Sequence, residues 1–389
     1  MLRTAAAALV CALAAASGRA AEPSGETMKT VESLLVPFWK SATMDREGLF
    51  FARRQAGEPA AATLLFPPKK VLAVRSATGE VVYEEGRDYA VDRAAGLIRL
   101  VPGSRISAKA PGELYPPADS RLPKMAHRRG DPRTCLLFSE GDFFHRLQAE
   151  VTYTHAPDSW KGPVPKFAGA ALPGTMKKLR AGAALKLCLT GDSISAGANA
   201  SGLTQAPPRQ PAYGELVALG LEKAWGAKVT FRNFAVGGWS SADGVADVAK
   251  VAAEKPDLVI VGYGMNDVGG RSAAAFAANI RTIMDKVRAA SPDAEFVLVA
   301  PMLANPEWHY PTRVENFPDF RDALARLCGR GAVLADLTAV WTELLKRKRF
   351  HDLTGNGVNH PNDFGHRLYA QVILALLVEP ERAERACRG

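Results

Sequence analysis

Four short segments of the sequence carry groups suited to chemistry at a carbonyl carbon, and two of them supply a nucleophile and a base. Ser193 lies in Gly191-Asp-Ser-Ile-Ser195, and His360 lies in Asn359-His-Pro-Asn-Asp363. A serine hydroxyl is a poor nucleophile until a neighbouring base takes its proton. Histidine is such a base near neutral pH. The two residues therefore indicate a hydrolytic Ser–His pair, provided that the fold brings them together.

The other two segments supply hydrogen-bond donors. Gly238 lies in Ala235-Val-Gly-Gly-Trp239, where the missing side chains let backbone N–H groups face a ligand. Asn266 lies in Gly262-Tyr-Gly-Met-Asn-Asp267, and its amide can donate to a developing oxyanion. Each segment alone has a simpler interpretation, namely a helix cap, a plain turn or a loop asparagine bonded to its own backbone. Their joint occurrence favours catalysis.

The elements that must position these groups form a predicted α/β domain. Helical patterns alternate with apolar runs, which favours a parallel sheet with right-handed crossovers. Open sheets of this kind bind ligands at the carboxyl ends of their strands, where Ser193, Gly238 and Asn266 stand. The predicted strands cover residues 185–190, 229–234, 257–261, 295–300 and 332–335, and the predicted helices cover residues 212–225, 242–254, 273–290 and 320–328.

In order and spacing, the four segments resemble the signature blocks of the SGNH (GDSL-type) hydrolase superfamily, over residues 186–370. The resemblance implies a flavodoxin-like three-layer fold with a parallel five-stranded sheet. It also implies that Ser193 is the nucleophile and His360 the general base. The backbone N–H groups of Ser193 and Gly238 and the side-chain amide of Asn266 would form the oxyanion hole.

One position departs from the family pattern. The family has an aspartate three residues before the catalytic histidine, and Gly357 occupies that position here. The candidates for a group that orients His360 are a backbone carbonyl, an asparagine such as Asn356 or Asn359, and a carboxylate from elsewhere such as Asp352. Loss of the carboxylate would weaken the base, because wrong tautomers become accessible. We predict a Ser–His dyad with an unassigned third member.

A second Asp-x-x-His pattern competes with the first. Asp363 and His366 fit it, so His366 is an alternative base with Asp363 as its acid partner. The His-Pro dipeptide at His360 matches the family position better, and we choose His360. A last helix beginning after Pro361 would make His366 a packing or capping residue. Ser195 replaces the last glycine of a Gly-x-Ser-x-Gly elbow, which argues against the ordinary α/β-hydrolase arrangement.

The remaining chain is predicted to contain three further regions. Residues 1–20 have a basic start, an apolar run and a small-residue end, which is typical of a secretory signal peptide. The run is too short for the ~20 residues of a membrane span. Residues 28–155 hold short apolar runs between turn signals, which predicts a smaller β-sandwich-like domain without a catalytic constellation. Residues 156–182 form a linker, and residues 183–380 form the hydrolase domain.

Composition limits the partners. The chain has 389 residues, 47% of them apolar, and a formal net charge of +9, which indicates a globular protein. No basic block with interleaved aromatic residues suggests a nucleic-acid partner, and the histidines lack metal-ligand spacing, so we expect no metal. Asp267 stands where a dinucleotide motif has its third glycine, so we expect no cofactor. The four cysteines after residue 20 allow three pairings, and Cys188 is predicted to be a buried thiol.

These features predict a secreted or periplasmic serine esterase, without a membrane segment in its mature form, that hydrolyses O-acyl esters. Export, the β-rich domain and the lack of a hydrophobic lid sequence favour a small acyl ester or an acylated carbohydrate, chiefly an acetylated one. The substrate class rests on analogy between folds. The alternatives are a lipid esterase or thioesterase of the same fold, and an inactive hydrolase fold joined to a carbohydrate-binding sandwich.

Overall fold

The computed structural model describes residues 24–309 and 313–388. The predicted signal peptide, residues 1–20, lies outside these described residues. Within them, no helix combines the length and the apolar character that crossing a membrane requires. The described chain holds four unpaired cysteines: Cys135, Cys188, Cys328 and Cys387. Cys188 is buried, as the sequence predicts.

The N-terminal region of the chain is rich in short antiparallel strands. Its strands are β1 (Thr43–Leu49), β2 (Ala61–Thr63), β3 (Pro68–Ser76), β4 (Val82–Tyr83), β5 (Tyr89–Asp92), β6 (Leu97–Leu100), β7 (Lys124–Met125), β8 (Leu136–Leu137) and β9 (Ala149–His155). They form sheets with the orders β1-β9-β3-β4, β2-β6-β5 and β7-β8. Every second residue of β9 is buried, as expected for a sheet with one face on a core. A β-rich region thus precedes the α/β part, as predicted.

The prediction that residues 28–155 are mainly strands misses the helices of this region. They are α1 (Gly25–Leu35), α2 (Pro111–Leu114) and α3 (Phe143–Leu147). The Ser24 side chain caps α1, and the buried residues Val31 and Leu34 recur at helical spacing. This cap and stripe direct the first part of the chain into a helix that packs against the C-terminal half.

Strand β1 is not marked by a short apolar run in the sequence, because charged residues interrupt it. One of them, Glu47, is fully buried and pairs with the equally buried Lys348. The Tyr153 hydroxyl and the Leu65 N–H also donate to the Glu47 carboxylate, at 2.6 and 2.9 Å. A buried charge needs partners of this kind. The contact ties the β-rich region to the segment that leads to His360.

The C-terminal half contains the predicted parallel sheet. Its strands are β10 (Leu185–Gly191), β11 (Val229–Asn233), β12 (Leu258–Gly262), β13 (Glu295–Ala300) and β14 (Ala332–Asp336). All of its pairings are parallel, in the order β11-β10-β12-β13-β14, which is the flavodoxin-like order. Every residue of β12 and β13 is buried, because helices cover both faces of the sheet. The predicted fold class is therefore confirmed.

Helices form the two outer layers. They are α4 (Pro173–Arg180), α5 (Ser193–Ala196), α6 (Ser201–Thr204), α7 (Tyr213–Trp225), α8 (Ser241–Ala253), α9 (Ala273–Ala290), α10 (Phe317–Ala325), α11 (Leu337–Leu344), α12 (Phe350–Leu353), α13 (Asp363–Leu377) and α14 (Pro380–Arg388). Helix α7 packs with α13, and α8 packs with α9. Helix α4 lies within the predicted linker, where the Glu295 carboxylate accepts from the N–H groups of Gly174 and Thr175.

Candidate active site

Ser193 follows the carboxyl end of strand β10, as the first residue of α5. The Asp192 side chain caps this helix by accepting from the Ile194 N–H at 3.0 Å. Burial raises the pKa of Asp192 to about 7. Gly191 has to be glycine, because a Cβ there would lie 2.4 Å from the Gly262 carbonyl oxygen. The turn thus holds the Ser193 hydroxyl at the sheet edge.

His360 reaches the same edge from the loop between α12 and α13. Its Nε2 lies 2.8 Å from the Ser193 Oγ, although the two residues are 167 positions apart. The loop is shaped by Asn356, whose Oδ1 accepts from the N–H groups of Val358, Asn359 and His360. The contact lies within hydrogen-bond reach for proton transfer from the serine to the imidazole.

The other ring nitrogen of His360 faces two oxygen atoms. Nδ1 lies 3.0 Å from the Glu140 Oε2 and 3.1 Å from the Asn199 Oδ1. The Asn199 amide nitrogen donates to the carbonyls of Gly141 and Gly355, which fixes its oxygen towards His360. Because both neighbours accept, the hydrogen-bond network assigns the neutral ring's proton to Nδ1. Nε2 is then left to accept from Ser193.

Glu140 is the neighbour that the sequence analysis missed. It lies in the loop between β8 and α3, in a region predicted to lack a catalytic constellation. Its Oε1 accepts from the Asn356 amide at 3.1 Å. Partial burial raises the pKa of Glu140, but the hydrogen bond and charge of His360 and the hydrogen bonds of Asn356 and Asn199 together lower it more, so that it ends below its ordinary value. The residues around Glu140 form no motif, so the sequence alone does not distinguish Glu140 from a glutamate in an ordinary turn.

The partners named from the sequence for His360 lie elsewhere. The Asp352 carboxylate accepts from the N–H groups of Phe50 and Arg349, at 2.7 and 2.9 Å. The Asn359 Oδ1 accepts from the Asn356 amide. Gly357 has a φ of +80°, a conformation that an aspartate would adopt only with strain. The structure thus brings neither Asp352 nor Asn359 to the ring nitrogens.

The predicted oxyanion donors lie on Ser193 itself, in the turn next to it and in the loop that bonds to that turn. The Ser193 N–H is in the first turn of α5, where N–H groups have no acceptor within the helix. A Cβ at Gly237 would lie 3.9 Å from the Ser193 Cβ, so the turn with Gly238 lies against the nucleophile. The Asn266 Nδ2 donates to the Trp239 carbonyl at 2.9 Å. A primary amide has a second N–H, which can serve a ligand.

Asp267 joins the two loops that carry these donors. Its carboxylate accepts from the Ser241 N–H at 3.0 Å and from the Ser241 hydroxyl at 2.6 Å. Arg271 lies 3.4 Å from the same carboxylate. Burial raises the pKa of Asp267, and these hydrogen bonds and the arginine charge oppose that effect. Asp267 thus fixes the start of α8 against the loop after β12.

The alternative pair, Asp363 and His366, lies within the first turns of α13. His366 is fully buried, accepts from the Tyr213 N–H and contacts the Ala198 carbonyl through Nε2 at 3.1 Å. Burial lowers the pKa of His366 to about 4. Asp363 accepts from the N–H and hydroxyl of Ser201, at 2.8 and 2.6 Å. The structure brings His360 to Ser193, and His366 to other partners.

The chain is similar to one protein family and to several solved structures. The family model of the GDSL-like lipase/acylhydrolase family matches residues 189–368, which include Ser193, Gly238, Asn266 and His360. No curated protein matches the chain. A solved two-domain esterase (CEX) active on acetylated mannans has 23% identity and a TM-score of 0.44, covering 59% of this chain and 56% of its own.

Two smaller solved proteins are similar to half of the chain. A catalytic mutant of Axe2, an acetylxylan esterase from Geobacillus stearothermophilus, has 19% identity and a TM-score of 0.41, covering 50% of this chain and 95% of its own. The acetyl xylan esterase AlAXEase has 20% identity and a TM-score of 0.38, covering 49% of this chain and 98% of its own. The chain therefore spans little more than half the length of the two-domain esterase, and nearly all of the smaller enzymes.

Proposed function

We propose that the chain, whose residues 189–368 match the model of the GDSL-like lipase/acylhydrolase family, is a carboxylic ester hydrolase that works through Ser193 and His360. The observation that carries this proposal is the 2.8 Å contact between the Ser193 Oγ and the His360 Nε2. A nucleophile within hydrogen-bond reach of a base that is itself oriented by a third group is the arrangement that nucleophilic catalysis requires.

The first half of the reaction forms an acyl-enzyme. The Ser193 Oγ attacks the carbonyl carbon of the ester while the His360 Nε2 takes its proton. The carbonyl oxygen becomes an oxyanion that the N–H groups of Ser193 and Gly238 and the amide of Asn266 stabilise. Removal of one such donor lowers kcat by a factor on the order of 10²–10³ in a well-studied protease. The imidazolium then protonates the leaving alcohol, and the ester bond breaks.

The second half hydrolyses the acyl-enzyme. His360 is partly exposed, with 12% of its side chain accessible, so water can approach Nε2. The imidazole takes a proton from this water as the water oxygen attacks the acyl carbon. The same donors stabilise the second oxyanion. The imidazolium returns the proton to the Ser193 Oγ, the carboxylic acid leaves, and the resting state is restored.

We further propose that the acyl group is short, chiefly acetyl, and that it is carried by a carbohydrate. The proposal rests on the export pattern, on the β-rich region and on the lack of a hydrophobic lid sequence. The cavity of about 10 Å³ lined by residues such as Asp192, Ile194 and Tyr213 has room for about one water molecule, and neither Ser193 nor His360 lines it. An apolar groove of about 350 Å³ lies between α1, α13 and α14, and it is not lined by Ser193 or His360 either.

The location is proposed from residues 1–20 alone, whose pattern favours export and cleavage. An exported ester hydrolase would meet acylated polymers outside the cytoplasm. The intact mass of the protein recovered from the periplasm or medium tests this, because cleavage removes the first residues. An uncleaved protein retained in the cytoplasm would contradict it.

A panel of p-nitrophenyl esters of increasing chain length tests the proposed substrate class. We expect kcat/KM for the octanoate to be about tenfold or more below that for the acetate, because a site that fits a short acyl group would gain little from added methylenes. Release of acetate from acetylated xylan tests the carbohydrate part. A preference for long chains would favour a lipid esterase, and a preference for acyl thioesters would favour a thioesterase.

The remaining alternative is an inactive carbohydrate-binding protein. Covalent labelling of the serine distinguishes it from an active esterase. A fluorophosphonate probe reacts quickly with an activated serine and slowly with an ordinary one. We expect one equivalent of probe on Ser193. A chain that hydrolyses none of the esters, takes up no probe and still binds polysaccharide would contradict the proposed function.

A further inference from the structure

We propose that Glu140, a residue of the N-terminal β-rich region, is the carboxylate that orients His360, so that the catalytic site is completed across the two halves of the chain. The inference rests on the proposed function of Ser193 and His360. Its basis is the 3.0 Å contact between the Glu140 Oε2 and the His360 Nδ1. Glu140 touches no reacting atom, so it is a positioning residue that acts through His360.

The two oxygen atoms near the His360 Nδ1 differ in how well they stabilise the positively charged imidazolium. The Asn199 Oδ1 accepts the Nδ1–H and so favours the tautomer in which Nε2 faces Ser193. An amide oxygen carries no net charge, however, so it stabilises the imidazolium far less than a carboxylate does. The Glu140 carboxylate supplies that charge when His360 has taken the serine proton. Asn199 therefore sets the tautomer together with Glu140, and Glu140 alone balances the charge.

Glu140 is held in place by the residues that also hold His360. Its Oε1 accepts from the Asn356 amide, and the Asn356 Oδ1 accepts from the His360 N–H. The next residue, Gly141, accepts from the Asn199 amide through its carbonyl. Two buried asparagines thus join the loop of Glu140 to the loop of His360. Fixed partners of this kind reduce the entropy lost in aligning the acid with the base.

The packing explains why this carboxylate comes from the β-rich region. A Cβ at Gly357 would lie 3.0 Å from the Phe144 ring and 3.2 Å from the Leu137 carbonyl oxygen. The space beside Gly357 is therefore filled by the residues that precede and follow Glu140. Phe144 and Leu137 are both buried in one small apolar cluster with Phe50. The segment from Leu137 to Phe144 therefore fills the space that an acid at position 357 would need, and the same segment supplies Glu140.

The charged groups near His360 include two others. Asp192 is buried, and burial raises its pKa to about 7, so it is only partly ionised at neutral pH. His366 is neutral there, because burial lowers its pKa to about 4. The pKa of Glu140 lies below its ordinary value, so Glu140 is ionised throughout the neutral range. Glu140 is therefore the carboxylate in contact with the ring that stays charged while His360 acts.

The test compares full-length variants at residue 140 with a control in the same loop. In Glu140→Gln we expect kcat/KM for p-nitrophenyl acetate to fall on the order of 10- to 100-fold, mainly in kcat. The loss is smaller than in proteases with a buried acid, because Glu140 is half exposed and Asn199 retains the tautomer. Without the negative charge the imidazolium is less stable, so the acid limb of the pH profile should move to lower pH.

Two further variants separate charge from structure. Glu140→Asp keeps the charge, and we expect it to retain more activity than Glu140→Gln and to keep the wild-type acid limb. Asp142→Asn removes an equal charge two positions away, where Asp142 pairs with Arg146 at 2.6 Å. We expect this control to stay within about twofold of the wild type, since exposed pairs contribute little. Thermal unfolding curves report whether each variant is folded.

The outcomes that overturn the inference are distinct from those that overturn the proposed function. Wild-type rates and an unshifted acid limb in Glu140→Gln would overturn the role of Glu140 and leave Ser193 and His360 untouched. Equal losses in Glu140→Gln and Asp142→Asn would show a loop effect and also overturn it. If Glu140→Gln fails to fold, an altered acid limb in folded Glu140→Asp would overturn it. Full activity without Ser193 or His360 would instead overturn the proposed function.

Discussion

Replacing Ser193 with alanine is expected to lower kcat for p-nitrophenyl acetate by on the order of 10⁴–10⁶-fold, because the nucleophile is lost and water must attack directly. The residual rate would come from the oxyanion donors, which remain in place. The Ser193 hydroxyl contacts the His360 Nε2, and it is only partly buried at the sheet edge. Its removal should therefore leave the thermal unfolding temperature almost unchanged. Steady-state kinetics and a melting curve measure both.

Ser195→Ala is a matched control, because it removes the same hydroxyl group two positions away in the same helix. The Ser195 hydroxyl is buried and bonds the Tyr213 hydroxyl at 2.7 Å and the Gly262 carbonyl at 3.1 Å. Its loss should reduce stability by about 1–3 kcal/mol, because partners are left unpaired, while Ser193 still takes up a fluorophosphonate. Equal activity in Ser193→Ala and the wild type, or probe attached to another residue, would show that Ser193 is not the nucleophile.

The sheet could be predicted from the sequence because its central strands are buried on both faces. Every residue of β12 and β13 is buried, and apart from Glu295 at the start of β13 each strand is a continuous apolar run. The positions of Ser193, Gly238 and Asn266 followed from the same reasoning, since each lies just after a strand. Parallel strands bring those positions to one edge of a sheet whatever the details of packing. Local sequence patterns were therefore sufficient to predict the sheet and the residues that follow its strands.

The contacts between the two halves of the chain could not be predicted in this way. Glu140 is 220 positions from His360, and it reaches the ring because Leu137 and Phe144 pack beside Gly357. No periodicity encodes such packing. The glycine where an aspartate was expected indicated that an acid was missing, but it did not indicate where a substitute would be found.

Buried charges hide strand β1 from the sequence pattern for a related reason. Glu47 lies in β1, where an ionised side chain argues against a strand that packs on a core. The strand forms because Lys348, from the other half of the chain, neutralises the charge. A buried ion pair can be recognised only when both partners are known to meet. The interface that brings Glu140 to the candidate active site is therefore the part of the fold that local sequence patterns encode least.

Replacing His360 with alanine is expected to lower kcat by an amount similar to that in Ser193→Ala, on the order of 10⁴–10⁶-fold, because the two residues act as a unit. The double variant Ser193→Ala/His360→Ala should then be no slower than either single variant. Fluorophosphonate labelling of Ser193 should be lost in His360→Ala as well, since the hydroxyl no longer has a base 2.8 Å away. Rates of labelling and of ester hydrolysis measure these effects.

His366→Ala separates the two candidate bases, because it removes an imidazole from the same part of the chain. His366 is buried and bonded to the backbone of Tyr213 and Ala198, so its loss should lower stability by about 1–3 kcal/mol for each partner left unpaired. At temperatures where it remains folded, we expect kcat within a few-fold of the wild type. If instead His366→Ala were inactive and His360→Ala active, Asp363 and His366 would be the acid and base. The 2.8 Å contact of His360 would then have no catalytic role.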